Sequence, residues 1–133
     1  MSPLPGTSRA FEVAIAPVRR HVSRMRRITA ALLRHWAVPI QLTEDVVVTV
    51  SELVTNAIEH GEGTVSLRVR HTGNKVHVEV TDGNLAPAQL RAPADDEVCG
   101  RGLILVAVLA HNWGVSEDGR TTWATFLVPA GGP

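Results

Sequence analysis

The chain has 133 residues, 44% of them hydrophobic and 20% charged, and its thirteen basic and thirteen acidic side chains leave a formal net charge of zero. This length suits one packed domain, and the balanced charge argues against a global field that steers nucleic acid or a membrane surface. The single cysteine, Cys99, excludes an intrachain disulfide and a cysteine-based zinc cluster.

The opening stretch, residues 1–8, reads as a loose Pro-rich lead. It lacks the basic and apolar regions of a signal peptide. No apolar run approaches the roughly 20 residues of a membrane span, so a cytoplasmic location is expected. One domain is expected over residues 9–129, followed by a short tail at 130–133.

Phe11, Val13 and Ile15 alternate with Glu12 and Ala14, which predicts a strand. Pro17 suits the first turn of a helix. From 18 to 36 the apolar residues Val22, Met25, Ile28, Leu32 and Trp36 recur at helical spacing, with arginines 19, 20, 24, 26, 27 and 34 set mainly between them. This arginine cluster reads as a solvated face, or as a docking face for an acidic partner. After Pro39, Thr43 is the expected N-cap of a second helix over about 44–59, ended by Gly61 and Gly63.

Two alternating strands follow, at 65–69 and 76–80, joined by a hairpin turn at His71-Thr72-Gly73-Asn74. Residues 82–99 read as a long polar loop. Gly100-Arg101-Gly102 then opens a third helix reaching about Ala110. Two last strands, 113–115 and 122–128, turn at Asp118-Gly119. The order βααββαββ predicts a two-layer α/β sandwich whose mixed, mainly antiparallel sheet carries its helices on one face.

Three segments can carry chemistry. Glu52, Asn56 and His60 fall at i, i+4 and i+8, along one helix stripe. A carboxylate and a carboxamide one turn apart offer oxygen atoms to a hard cation such as Mg²⁺, which keeps several waters and few protein ligands. The bland alternative is an exposed polar face. Asp82 stands just past an alternating strand, where it can accept a hydrogen bond from an exocyclic amino group; the alternative is a plain Asp-Gly turn. Gly100-Arg101-Gly102 at a helix mouth lets backbone amides approach an anion; the alternative is an ordinary loop-to-helix junction. Neither a Walker A loop nor a G-x-G-x-x-G fingerprint is present.

Glu-x-x-x-Asn-Ala-x-x-His, then an Asp after a strand, then Gly-x-Gly at a helix, resembles the N, G1 and G2 boxes of the GHKL ATPase superfamily. The stretches Ser-Glu-Leu-Val-Thr-Asn-Ala (51–57), Gly-Arg-Gly-Leu-Ile-Leu-Val (100–106), Asn-Trp-Gly-Val (112–115) and Gly-Arg-Thr-Thr-Trp-Ala (119–124) resemble its small, free-standing anti-sigma-factor serine kinases of actinomycete type. The resemblance spans about residues 10–128. It implies a Bergerat-type fold binding ATP and Mg²⁺, with Asn56 as the metal ligand and Glu52 as the general base. Asp82 would read the adenine amino group with Gly83 beside it. Gly100, Arg101, Gly102 and Leu103 would line the phosphate side, Thr121 would sit near the adenine, and residues 84–99 would form a lid. The G1 box departs from the superfamily's Asp-x-Gly-x-Gly, reading Asp82-Gly83-Asn84-Leu85-Ala86.

By the same resemblance, the expected activity is phosphorylation of a serine on an anti-anti-sigma protein, together with sequestration of a sigma factor. The alternative is a regulatory module that binds ATP or a partner without catalysis. A homodimer is possible; direct nucleic-acid binding and membrane association are not expected.

Overall fold

The computed structural model describes residues 8–83 and 96–129, with the backbone alone for 96–102. The elements in chain order are β1 (Ser8–Ile15), α1 (Arg20–His35), α2 (Ile40–His60), β2 (Val65–Thr72), β3 (Lys75–Thr81), α3 (Asp96–Leu109), β4 (Asn112–Val115) and β5 (Thr121–Leu127). The strands form one sheet in the order β1-β2-β3-β5-β4. Every neighbouring pair is antiparallel, so the expected mixed sheet is instead uniformly antiparallel. The pairs β2–β3 and β4–β5 are hairpin-linked and β1 reaches β2 through α1 and α2, while β3 crosses through α3 to β4, which runs parallel to it with β5 inserted antiparallel between them.

The pleat sorts the side chains. Val65, Leu67 and Val69 on β2, Val76, Val78 and Val80 on β3, and Ala124 and Phe126 on β5 are buried on one face. The register aligns Val69 with Val78 and Val78 with Ala124, so the apolar rows run across the strands. Above them α2 contributes Val46, Val50, Leu53, Val54 and Ala57. A valine or leucine buried this fully is worth about 1.5–3 kcal/mol. The first helix, α1, packs on α2 through Met25 and Leu33, while α3 packs on α2 and β4 and buries Val106. All three helices thus lie on the apolar side. The opposite face carries the outward set Arg68, Arg70, His77, Glu79, Trp123 and Thr125, where the His77 and Trp123 rings stack with centroids 6.0 Å apart.

Several boundaries differ from the sequence expectation. The first strand starts at Ser8, because backbone pairing with β2 extends past the alternating residues to Thr72. Helix α2 begins at Ile40, one turn before the expected cap. Pro39, not Thr43, stands at its N-cap, and the Thr43 hydroxyl is buried and donates to the Val38 carbonyl at 3.3 Å. Pro39 is compatible with this start, since its missing N–H falls where a helix needs none. The third helix begins at Asp96, so Gly100-Arg101-Gly102 lies inside it and not at its mouth. A glycine in a helix costs about 1 kcal/mol relative to alanine, which tertiary packing can offset.

Two connections fix the geometry. Between β2 and β3 the turn shortens to Gly73-Asn74, with Gly73 at φ +54°, as a two-residue hairpin requires. At the end of α1, Ala37 takes φ +61°. Its N–H donates to Arg34 O and the N–H of Val38 donates to Leu33 O, each at 3.0 Å. This is a helix C-terminal closure normally made with glycine. Trp36, at the same corner, is buried against Phe11 and His71, with ring centroids 6.2 Å from each. No described helix is long and apolar enough to cross a membrane.

Candidate nucleotide site

The C-terminal end of α2 and the C-terminal end of β3 meet at one point. Asp82 follows the last residue of β3 and is 3% exposed. The strand alternation that buries Val76, Val78 and Val80 also turns Asp82 toward the helix side of the sheet. Its backbone N–H donates to Arg120 O at 2.9 Å, and the N–H of Gly83 donates to Glu62 O at 2.7 Å. The backbone at Asp82 is therefore anchored between the turn before β5 and the loop after α2. The Asp82 carboxylate lies against Gly61, where an added Cβ would stand 2.5 Å from Asp82 Cγ and 2.6 Å from the Ala57 carbonyl oxygen. Gly61 has φ −93°, an ordinary value, so space and not backbone conformation demands glycine here.

Glu52 and Asn56 lie one turn apart on α2, both half-buried, on a stripe beside its apolar face. Further along that helix, Glu59 takes an ion pair from Arg19, which ties the start of α1 to the end of α2. His60 Nε2 is 3.8 Å from Glu59 Oε1. Among the described residues no group of three or more His, Cys, Asp or Glu side chains is placed to hold a metal ion. The oxygen atoms of Glu52 and Asn56 instead suit a hard cation that keeps waters and ligand phosphates in its shell.

The remaining sequence-derived candidates divide by element. Gly83 belongs to the Asp82 corner. Gly100, Arg101 and Gly102 fall in the first half of α3, the helix that packs on α2, and the side chain of Arg101 lies outside the described residues. Leu103 is half-buried and packs on the apolar core. Most of the proposed lid, residues 84–95, lies outside the described residues. Thr121 pairs with Thr81 in the sheet, and their hydroxyls are 2.8 Å apart on the open face. Its neighbour Thr122 is aligned with Val80 and shares the helix-side face with Ala124 and Phe126. Of the two threonines, Thr122 is thus the one turned toward the Asp82 side. Gly61, Thr122 and Glu62 were not singled out from the sequence. Strand alternation counted back from Phe126 points to Thr122, whereas nothing local marks Gly61 as more than a helix stop.

The arrangement is a two-layer α/β sandwich with a buried carboxylate at the end of its central strand, facing the polar edge of its central helix. The sequence matches the model of the histidine kinase-like ATPase domain over residues 15–126. The chain belongs to that family, and the family implies ATP binding. The chain matches no curated protein. The buried Asp82 carboxylate, seated against Gly61, and the oxygen donors of Glu52 and Asn56 fit a nucleotide accompanied by a divalent cation.

Proposed function

We propose that this protein is an anti-sigma regulatory factor that binds ATP with Mg²⁺ and phosphorylates a serine of an anti-anti-sigma partner. The observation that carries the reading is the Glu52–Asn56 pair, one turn apart on the helix whose end meets the buried Asp82 carboxylate. Bound ATP–Mg²⁺ supplies the transferable phosphoryl group. Asp82 accepts a hydrogen bond from the adenine amino group, a contact strengthened by the low local dielectric of its buried position. The amide oxygen of Asn56 ligates the cation. Glu52, on the same stripe, accepts the proton of the serine hydroxyl and orients it. Positioning and electrostatics then provide most of the catalysis, as phosphoryl transfer requires. The sigma factor and anti-anti-sigma protein are the proposed partners, the cytoplasm the proposed location and a homodimer the proposed assembly.

A second reading, a regulatory module that binds ATP or a partner without turnover, is favoured by the G1 box, where Asn84 stands in place of the usual glycine. One experiment separates the two. Nucleotide affinity and phosphate transfer to co-purified anti-anti-sigma protein are measured for wild type, Glu52→Gln and Asn56→Ala. The kinase reading expects Glu52→Gln to keep ATP binding and lose about 10²–10⁴-fold in transfer rate, with Asn56→Ala losing Mg²⁺-dependent binding as well. Wild-type binding without transfer leaves the non-catalytic module standing.

A further inference from the structure

Away from the nucleotide corner, α1 and α2 enclose a groove of about 440 Å³ lined by Ser23, Arg26, Arg27, Ala30, Arg34 and Val47. None of the nucleotide-site residues lines it. Ser23, Arg27, Ala30 and Arg34 follow the i, i+4, i+7, i+11 pattern of one helix ridge. The small side chains of Ser23 and Ala30 leave a trough between the arginines, and Val47 gives it an apolar floor. All three guanidinium-bearing side chains are exposed. Among the described residues none of them makes an ion pair or side-chain hydrogen bond, although Arg19, on the same segment, is paired with Glu59.

We infer that this trough is a docking site for an acidic, helical segment of a partner protein. Arg27 and Arg34 are seven residues apart, which sets them about 10.5 Å apart along the helix axis. Two carboxylates seven residues apart on a second helix lying along the trough have the same separation. Each arginine fork can then take a carboxylate in a bidentate pair. The apolar floor receives a small or aliphatic side chain of the same segment. Crowded like charges on α1 repel one another in the free protein, and an acidic partner converts that repulsion into attraction. A nucleic-acid strand is the poorer occupant, because the chain has no net positive charge and no aromatic side chain lines the groove to stack a base. The inference rests on the groove between α1 and α2 and is independent of the nucleotide site.

The test uses the full chain without nucleotide and a fluorescein-labelled helical peptide carrying glutamates seven residues apart. The same peptide with glutamine, the same peptide with lysine, and a single-stranded DNA of matched charge serve as comparisons. Wild type should bind the glutamate peptide in a salt-sensitive manner, by anisotropy, and bind the glutamine peptide at least about tenfold more weakly. Arg27→Glu/Arg34→Glu should lose the glutamate peptide and gain the lysine peptide. Circular dichroism melting confirms that this variant is folded, and Arg27→Gln/Arg34→Gln serves if it is not. Equal binding of the glutamate peptide by wild type and the folded variant, no binding by wild type, or tighter binding of the DNA overturns the inference.

Discussion

Gly61 and Asp82 occupy adjoining space: the hydrogen at the Gly61 α-carbon is all that fits beneath the Asp82 carboxylate. The two residues end different elements, α2 and β3, and their contact locks the polar edge of the helix to the end of the strand. Gly61→Ala places a methyl group against both Asp82 Cγ and the Ala57 carbonyl, so something must shift. Overpacking of this kind costs about 1–3 kcal/mol. Denaturant titration should show that loss. In the double variant with Asp82→Ala the two costs should add to less than their sum, because the crowding partner is gone. Additivity would show that the contact is incidental.

Asp82→Asn keeps the shape and removes the charge. If Asp82 is the adenine acceptor, ATP and ADP should weaken together by about 1–3 kcal/mol in calorimetry, since one arm of the amide now presents donors. GTP binding should not weaken in step, because guanine has a carbonyl where adenine has its amino group. Unchanged ATP affinity in a folded Asp82→Asn protein would place adenine elsewhere.

Ala37 holds a left-handed backbone conformation at the end of α1. That conformation costs a residue with a Cβ about 1–2 kcal/mol, whereas glycine gives back about 0.4–1 kcal/mol through a freer unfolded chain. Ala37→Gly should therefore raise stability by a few tenths to about 1 kcal/mol. Ala37→Val should lower it by more, because β-branched side chains tolerate φ above zero worst. Thermal unfolding of the three proteins gives the order directly.

Two histidines set a pH window. Burial lowers the pKa of His77 below 6.5, more than Glu79 restores it, and Arg70 and Arg68 lower it further. Burial, and then Arg9, lowers that of His71. Below pH 6.5 the unfolded chain binds these protons more readily than the folded one. Stability should be fully present above that pH and fall as the solution is acidified through the lowered folded values. Replacing both residues by asparagine should flatten the stability curve in this window. The pKa of Asp118 is held down by the Ser116 hydroxyl and the Arg120 N–H, and its contribution is lost only lower, as pH falls below 3.8.

The strands at 65–69 and 76–80 were legible because their faces differ: buried valines and leucines alternate with arginine, histidine and glutamate. The core face of α2 was legible for the same reason at helical spacing. Its start was not, because Thr43 has the chemistry of a cap while Pro39 sits where a proline is equally at home, and only packing decides between them. The extra residues of β1 were invisible because Ser8, Arg9 and Ala10 are exposed and pair through their backbone alone. At the site, the residue types of Glu52, Asn56 and Asp82 could be read. Their meeting with Gly61 could not, since it depends on two chain ends brought together by the sheet. The threonine pair shows the same limit, as Thr121 and Thr122 are distinguished only by which side of β5 each one takes.

The two-residue turn at Gly73-Asn74 works as a ruler for the whole molecule. From it β3 counts seven residues to Thr81, and the next residue is the carboxylate at the nucleotide corner. One residue added at the turn, with the rest of β3 sliding past β2, would carry Val76, Val78 and Val80 to the open face and swing Asp82 off Gly61. Two added residues that bulge outward as a longer loop would leave the count intact. The tip of this hairpin, about 24 Å from the site by strand length, thus sets the parity of β3, and length changes there should be accommodated only when the loop absorbs them whole.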